Sequence, residues 1–341
     1  MKVILISPNP SDGTSWYRSN GPLSHMMDNY DDFQYVEYGG NKLPEWDVLI
    51  KFDVLFLQRP YRKDHYVLAN KMISLGKKVW IDWDDLLWAV PPDNPTHYKY
   101  STDDVQEGLQ MLLSDLPLDN VSYSVTTPYL KKILEKISDR NMNIHVIPNA
   151  LDERMFLPFH QRDPDGNYIA WRGSDTHVAD VLKYRDVLNK IIFREPTTWD
   201  FIGMNPWFLD NKQGKIRNYK PGGVLEYFKF IQHRNWKAWV CMLDDNPFNR
   251  CKSDIMYLEA AFAGAVLIAP DWEEFERPGC LNYRSGKMAS FESTIFTAMV
   301  DYSSTELLKE WKSACEYIEA NRTLKVINPE RYKLLTNLIN N

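Results

Sequence analysis

Residues 244–270, DDNPFNRCKSDIMYLEAAFAGAVLIAP, combine side chains that suit a phosphate with one that suits a diol. Asn249, Lys252 and Ser253 stand just before a helical pattern, where free backbone N–H groups and the positive end of the helix dipole favour an anion. Glu259 follows on a helix with an apolar face, and its carboxylate could accept hydrogen bonds from two hydroxyl groups of a ribose. The segment therefore predicts a nucleotide-binding site.

A second loop of this kind follows the apolar run at residues 168–171. Arg172, Gly173 and Ser174 come directly after that run, where a guanidinium and backbone amides can meet a diphosphate. His177 lies in the same loop and could contact phosphate or ribose, or could be a capping or surface histidine. A diphosphate needs at least two cations, and Arg172 and Lys252 are the candidates.

The first half of the chain offers one cation and three carboxylates. Arg18 follows the loop that begins at Gly13, and is either a cation of the site or an exposed arginine at a helix start. Asp82, Asp84 and Asp85 follow a hydrophobic strand and cannot all lie unpaired in an apolar core. They could line a cleft, act as a general base, or cap a helix.

Aromatic side chains divide into two predicted groups. Four tryptophans in or beside predicted strands are expected in the core: Trp80, Trp171, Trp199 and Trp239. Trp16, Tyr17 and Trp83 belong to predicted cleft-facing loops, where an aromatic ring could stack on a sugar or a nucleobase, or simply pack.

The elements that must position these residues alternate between strand and helix. Apolar runs predict strands at residues 2–7, 53–57, 78–82, 121–125, 144–147, 168–171, 199–203, 238–243 and 265–269. Helical spacing marks residues 66–75, 128–137 and 329–338. This order of elements predicts an α/β protein with parallel sheets.

Composition restricts the class of protein. A chain of 341 residues with 44% hydrophobic residues has material for two cores. The net charge of -6 argues against a surface dominated by attraction to nucleic acid, but a local basic groove would leave binding to DNA open. Four cysteines without metal-ligand spacing indicate a reduced, cytoplasmic protein, and no apolar run suggests a membrane span.

Residues 248–270, FNRCKSDIMYLEAAFAGAVLIAP, resemble the donor-nucleotide motif of GT-B-fold glycosyltransferases, especially glycosyltransferase family four (glycosyl transferases group 1). Glu259 matches the second glutamate of the family's E-x7-E motif, while Lys252 stands where the family has its first, sugar-facing glutamate. The loop at Arg172 resembles the first βα loop of the donor domain. Residues 13–18, GTSWYR, resemble the flexible loop that faces the donor phosphates.

The resemblance implies two Rossmann-like domains facing across a cleft. Residues 1–157 would form the acceptor-side domain and residues 158–325 the donor domain, after a polar stretch at 158–166. Residues 326–341 would form a helix that packs back onto the first domain.

The resemblance also implies an activity. The enzyme would move a sugar from a nucleotide diphosphate sugar, a UDP-sugar above all, to an acceptor hydroxyl, with retention of configuration and without a metal ion or further cofactor. The acceptor would be a saccharide or glycan, or a hydroxymethylated base in phage DNA. The residues that would bind the donor are Arg172, Gly173, Ser174, His177, Asn249, Lys252, Ser253 and Glu259. The catalytic residues would be Arg18, Asp82, Asp84 and Asp85.

Two alternatives remain open from the sequence. Asp82-x-Asp84 superficially fits the metal-binding motif of the other large glycosyltransferase architecture, GT-A, since carboxylates suit a hard divalent ion. The second domain with its own nucleotide loop argues against that assignment. The missing first glutamate raises the other alternative, a protein of the same fold that binds a nucleotide or sugar without turnover.

Overall fold

A computed structural model describes residues 1–9, 11–39, 43–161 and 166–340 of the protein. Of the predicted linker at 158–166, residues 162–165 lie outside the described part. Among the described helices, none is long and apolar enough to cross a membrane.

Two parallel sheets of six strands each organise the chain. The first contains β1 (Lys2–Ser7), β2 (Gln34–Gly39), β3 (Val54–Gln58), β4 (Lys78–Trp83), β5 (Val121–Val125) and β6 (Ile144–Val146). The second contains β7 (Tyr168–Arg172), β8 (Thr198–Ile202), β9 (Ile216–Tyr219), β10 (Ala238–Val240), β11 (Val266–Pro270) and β12 (Cys280–Tyr283). All nine predicted strands are present, with small differences at their ends.

The helices connect successive strands. In the first half they are α1 (Gly13–Ser15), α2 (Gly21–Asn29), α3 (Trp46–Leu49), α4 (Lys63–Ser74), α5 (His97–Tyr100), α6 (Asp103–Ser114), α7 (Pro128–Ile137) and α8 (Glu153–Phe156). In the second half they are α9 (Val178–Lys183), α10 (Arg185–Arg194), α11 (Val224–Gln232), α12 (Pro247–Arg250), α13 (Ile255–Phe262), α14 (Met288–Phe296), α15 (Ser304–Asn321) and α16 (Leu324–Asn340). Residues Trp16–Asn20 and Thr297–Asp301 are π-helical.

Strand order places one switch point in each sheet. The first sheet has the order β2-β1-β3-β4-β5-β6. Strand β2 is added on one side of β1 and all later strands on the other side, so the switch point lies between β1 and β3. The second has the order β12-β11-β10-β7-β8-β9, with its reversal between β7 and β10. Ligands of open α/β sheets bind outside the carboxyl ends of the strands at such points. The predicted loops after β1, β7 and β10 belong to these two switch points.

Local sequence accounts for the helix ends near the site. Asn246 caps α12, because its side chain accepts a hydrogen bond from the backbone N–H of Asn249 at 2.9 Å. Gly264 follows α13 with a φ of 77°, the left-handed conformation that glycine adopts without strain, and so ends that helix as predicted.

The two domains interlock at their cores. Tyr17 of the first domain packs in the core cluster of the second, while Phe248 and Cys251 of the second pack in a core cluster of the first. The last helix, α16, follows the second domain in sequence, yet its Leu335 and Leu338 pack in a cluster with strands β1, β3 and β4 of the first domain.

Candidate functional site

A cavity of about 740 Å³ lies between the domains, where the loops after the two switch points face each other. Ten of the predicted site residues line it: Arg18, Asp84, Asp85, Arg172, Gly173, Ser174, His177, Lys252, Ser253 and Glu259. Asp82 and Asn249 are not among the lining residues. One cavity thus collects side chains that are far apart in the sequence and belong to both domains.

Glu259 is buried at one end of this cavity and already has protein partners. Its Oε1 accepts a hydrogen bond from the Tyr17 hydroxyl at 3.1 Å, and its Oε2 accepts one from the Tyr227 hydroxyl at 2.6 Å. The Nε atom of Arg172 lies 2.7 Å from the same Oε2 as an ion pair, without the angle of a directed hydrogen bond. The carboxylate therefore ties the loop after β7 and the first domain to α13.

The pKa values of the Tyr17 and Tyr227 hydroxyl groups are shifted by this arrangement. Burial raises the pKa of both hydroxyl groups, and the charge of Glu259 raises them further. Both phenols are therefore neutral and remain hydrogen-bond donors to the carboxylate across the physiological pH range.

At the other end of the cavity, charges of both domains pair across the cleft. The Nζ atom of Lys252 lies 3.0 Å from Oδ1 of Asp85. Arg59 binds Asp84 through two hydrogen bonds of 2.7 and 2.5 Å, and Asp85 through a third of 2.9 Å. Against the opposing effect of burial, Lys252 and Arg59 lower the pKa of Asp85 to about 2. Burial raises the pKa of Asp84.

Arg18, which lines the cavity, forms a buried pair with Asp82, which does not, and each is about 1% exposed. Arg18 donates to both Asp82 oxygens, at 2.9 and 2.6 Å, and to the carbonyl of Ile147 at 2.6 Å. Ser124 donates to Asp82 at 2.5 Å. Because Asp82 is surrounded by donors and does not line the cavity, our expectation of a catalytic Asp82 does not fit its placement.

Arg18 acts on the site through Asn149. It donates to Oδ1 of Asn149 at 3.1 Å, and Nδ2 of Asn149 donates in turn to the Ser253 hydroxyl at 2.8 Å. This chain of contacts gives Arg18 the geometry of a residue that positions the Ser253 loop.

His177 belongs to a buried polar group in the second domain. Its Nδ1 atom lies 2.9 Å from Oδ2 of Asp180, whose Oδ1 accepts hydrogen bonds from Nδ2 of Asn249 at 2.7 Å and from the backbone N–H of Asp244 at 3.1 Å. Asn249 is 2% exposed and reaches this carboxylate rather than the cavity. The structure thus places the Asn249 amide against Asp180, and its predicted contact with a donor stays a prediction.

Glycine is required where the loops after β7 and β8 meet. Gly203 has a φ of 96°, and a Cβ there would lie 2.5 Å from the carbonyl oxygen of Gly173. A Cβ on Gly173 would lie 2.6 Å from the Trp171 ring. A side chain at Gly203 would collide with the backbone of Gly173, and one at Gly173 would collide with the Trp171 ring.

Sequence reasoning missed three residues that the structure brings to the site: Arg59, Asp180 and Tyr227. Arg59 directly follows β3, just as Arg172 ends β7, so the signal that identified Arg172 was present. Asp180 and Tyr227 lie on helices α9 and α11 and carry no comparable local signal. Trp83 was assigned to a cleft-facing loop, but it is a fully buried residue of β4, so that prediction is wrong.

No group of three or more histidine, cysteine, aspartate or glutamate side chains among the described residues is arranged to hold a metal ion. The carboxylates of Asp82 and Asp84 are each matched by a guanidinium, from Arg18 and Arg59.

Comparison with solved structures identifies the fold. No protein-family model and no curated protein sequence matches the chain. A glycosyltransferase from Rickettsia africae is similar in structure, with 10% identity, coverage of 100% of this chain and 99% of that one, and a TM-score of 0.65. Anabaena HepE in complex with UDP-glucose has 10% identity, coverage of 99% and 100%, and a TM-score of 0.65. A UDP-forming trehalose-phosphate synthase from Burkholderia xenovorans has 8% identity, coverage of 99% and 98%, and a TM-score of 0.64.

The chain therefore has the GT-B fold. The predicted fold class, two Rossmann-like domains facing across a cleft, is confirmed, and the GT-A architecture is not the one observed. Assignment to glycosyltransferase family four, the domain boundaries and the roles of the site residues stay predictions.

Proposed function

We propose that the protein is a glycosyltransferase that moves a sugar from a nucleoside diphosphate sugar, a UDP-sugar above all, to an acceptor hydroxyl in the cavity between its domains. The observation that carries this proposal is the convergence of Arg172, Lys252 and Glu259 on one cavity at the switch point of the second sheet. HepE, which shares the fold, binds UDP-glucose. A nucleoside diphosphate has the matching groups, two phosphates and a ribose diol.

The donor would lie against the second domain. Arg172 would contact one phosphate, since its side chain is 26% exposed, lines the cavity and pairs with Glu259 through Nε. Lys252 and the Ser253 hydroxyl would contact the second phosphate. Glu259 accepts two hydrogen bonds from phenols, of roughly four that a carboxylate can accept, so it can still accept one from a ribose hydroxyl.

The chemistry would rest on these fixed cations. As the bond between the anomeric carbon and the diphosphate lengthens, negative charge develops on the leaving group, and preorganised cations stabilise it without reorganising. Arg172 and Lys252 take the place that a divalent ion has in metal-dependent enzymes. We infer a metal-independent reaction with retention of configuration, as in the resembled family.

The acceptor would enter from the first domain, where Arg59, Asp84 and Tyr100 line the cavity. Its hydroxyl belongs to a saccharide or glycan, or to a hydroxymethylated base in DNA. Asp84 can accept a hydrogen bond from such a hydroxyl while Arg59 keeps the carboxylate in place.

Mass spectrometry tests this proposal directly. The purified protein is incubated with a panel of nucleotide sugars, each with oligosaccharides or with DNA that contains hydroxymethylcytosine, and the acceptor is weighed. We expect a mass increase of one sugar residue for one donor. An Arg172→Met, Lys252→Met double variant is the matched control and should give no product. A wild type that binds UDP but yields neither transfer nor donor hydrolysis would instead establish a non-catalytic binding protein.

A further inference from the structure

The chain crosses between the two domains twice, and the two crossing segments bind each other. The first runs from β6 towards β7, and the second joins α15 to α16. Leu151 and Thr323 form a parallel β-bridge between them. The backbone N–H of Leu151 donates to the carbonyl of Arg322 at 2.8 Å, and the backbone N–H of Leu324 donates to the carbonyl of Leu151 at 2.8 Å. The paired segments form one short unit, the junction of the domains.

Arg322 links this junction to the start of α13. It is 4% exposed, and its two terminal nitrogens donate to the two oxygens of Asp254, each at 2.5 Å. Its Nε atom donates to the carbonyl of Asn149 in the first crossing segment at 2.9 Å. Asp254 is fully buried and directly precedes α13. One guanidinium therefore holds both crossing segments against the start of this helix.

Asn149 makes a second contact between the junction and the same loop. Its amide donates to the hydroxyl of Ser253, the residue before Asp254, at 2.8 Å. Ser253 is a residue that we place at the second phosphate of the donor. Arg59 and Asp84, which we place at the acceptor, belong to the first domain. The position of the Ser253 loop relative to the first domain therefore sets the distance between donor and acceptor.

The geometry of the Arg322–Asp254 pair is more informative than its charge. A buried ion pair is weak evidence for stability, because two charges that are taken out of water lose their hydration. A guanidinium adds direction, since its planar fork binds both oxygens of a carboxylate and leaves Nε for a third acceptor. Arg322 uses all three positions, two on Asp254 and one on Asn149. A lysine ammonium has no such fork.

We propose that Arg322 is a positioning residue of the transfer reaction, which holds the Ser253 loop at the junction and so fixes the bound donor against the acceptor. This inference rests on the proposed function. Arg322 is not among the residues that line the cavity, so it acts through Asp254, Asn149 and Ser253. The nucleotide would lie against the second domain, whereas the acceptor would lie against the first. Loss of the link should therefore lower the rate of transfer more than the affinity for the nucleotide.

The experiment compares Arg322→Lys with Arg277→Lys, its matched control. Arg277 also donates to Asp254, through Nε at 3.3 Å, but its other partners are Glu273 and Glu274 and not a crossing segment. Both substitutions keep a positive charge beside Asp254. We expect kcat for transfer to fall about 10- to 100-fold in Arg322→Lys, the effect of a small misplacement of reacting groups, with UDP affinity by calorimetry kept. The fraction of donor that is hydrolysed instead of transferred should rise.

Hydrogen exchange tests the link without turnover. The backbone N–H of Leu151 is bonded to the carbonyl of Arg322, and that of Tyr257 to the carbonyl of Asp254 at 2.8 Å. Peptides that contain these two amides should exchange faster in Arg322→Lys than in Arg277→Lys, while α10 should exchange equally in both. Urea unfolding checks that the variants fold. Arg322→Gln, which can still donate to Asp254, serves if the lysine variant does not fold.

The inference would be overturned by wild-type kcat in Arg322→Lys, or by unchanged exchange at Leu151 and Tyr257. An equal loss of kcat in Arg277→Lys would assign the effect to the charge beside Asp254 and not to the link. Parallel losses of UDP affinity and kcat would make Arg322 a support of the donor pocket alone. Failure of the wild type to transfer any sugar would instead count against the proposed function, because the exchange measurement is read without turnover.

Discussion

Lys252 of the second domain and Asp85 of the first form an ion pair across the cavity, with 3.0 Å between Nζ and Oδ1. The cation that we assign to the donor phosphate is therefore paired with a carboxylate of the opposite wall. A diphosphate that binds Lys252 must share it with Asp85 or replace that partner. The pair thus couples donor binding to the contact between the two domains.

If the ion pair competes with the donor, substitutions of Lys252 and of Asp85 should have opposite effects on nucleotide affinity. Lys252→Met should weaken UDP binding by about 1.5–3 kcal/mol, the usual effect of a lost charge-assisted hydrogen bond. Asp85→Asn should keep or raise the affinity, because Lys252 no longer has a competing anion. Isothermal calorimetry measures both, with Lys312→Met on the exposed face of α15 as control. Equal losses in the two variants would mean that the pair only holds the domains together.

A second prediction concerns Glu259 and separates binding of the ribose from a purely structural role. Glu259→Gln removes the charge but keeps the size of the side chain, so UDP affinity should fall by roughly 1–3 kcal/mol through the weaker hydrogen bond to ribose. Calorimetry with UDP measures this, with the exposed Glu319→Gln as control. A variant that stays folded and binds UDP as the wild type does would leave Glu259 only the structural task of holding Tyr17, Tyr227 and Arg172.

Much of this fold could be predicted because several of its central strands are mostly apolar. Strands β1, β3, β4 and β11 are buried over nearly their whole length, which gives continuous apolar runs in the sequence. The three missed strands, β2, β9 and β12, are all edge strands. With one edge and much of a face in solvent, IRNY or CLNY has no such run to detect.

The site was predictable at the carboxyl ends of the strands and on the helix that follows the Lys252 loop. Arg172 ends β7, and Lys252 lies between β10 and α13, which carries Glu259. Because strand ends of one sheet meet at one edge, the proximity of these residues follows from topology. The partners of these residues do not. Lys252–Asp85 joins residues 167 apart in sequence, and Tyr17–Glu259 joins residues 242 apart, so both depend on how the two domains dock. Sequence periodicity carries no information about that docking.

The fixed cations predict that activity is independent of divalent ions. Turnover in EDTA should equal turnover in buffer with Mg²⁺ or Mn²⁺, because Arg172 and Lys252 supply the positive charge at the leaving group. Initial rates with and without chelator measure this, and addition of metal to the EDTA sample is the control. Loss of turnover in EDTA with recovery on adding metal would contradict it.

A further prediction concerns stability near the start of α13. Burial and the nearby Asp254 raise the pKa of Glu274 to about 8. The folded state then holds a proton that the unfolded state has released, so stability falls as pH rises from the ordinary glutamate pKa toward 8. Glu274→Gln carries no such charge. Urea unfolding at pH 5 and pH 8.5 should show the variant gaining on the wild type by on the order of 1–3 kcal/mol at the higher pH.

The neighbouring Glu273 offers a matched control for this measurement, since it is exposed and lies on the same 3-10 turn. Glu273→Gln should change little between the two pH values. Parallel behaviour of both variants would show that Glu274 keeps its charge and that Arg277 and Arg322 compensate for its burial.

The last prediction concerns the acceptor wall, where Arg59 holds Asp84 through two hydrogen bonds. Asp84→Asn should lower kcat for transfer while leaving UDP affinity nearly intact, because the carboxylate would act on the acceptor or the transferred sugar and not on the nucleotide. Arg59 keeps Asp85 as a partner in this variant, so the guanidinium is not left unpaired. Steady-state kinetics with varied acceptor, alongside calorimetry with UDP, separates the two effects. Full activity in Asp84→Asn would reduce the carboxylate to an anchor for Arg59, and a parallel loss of UDP affinity would place it in the donor site instead.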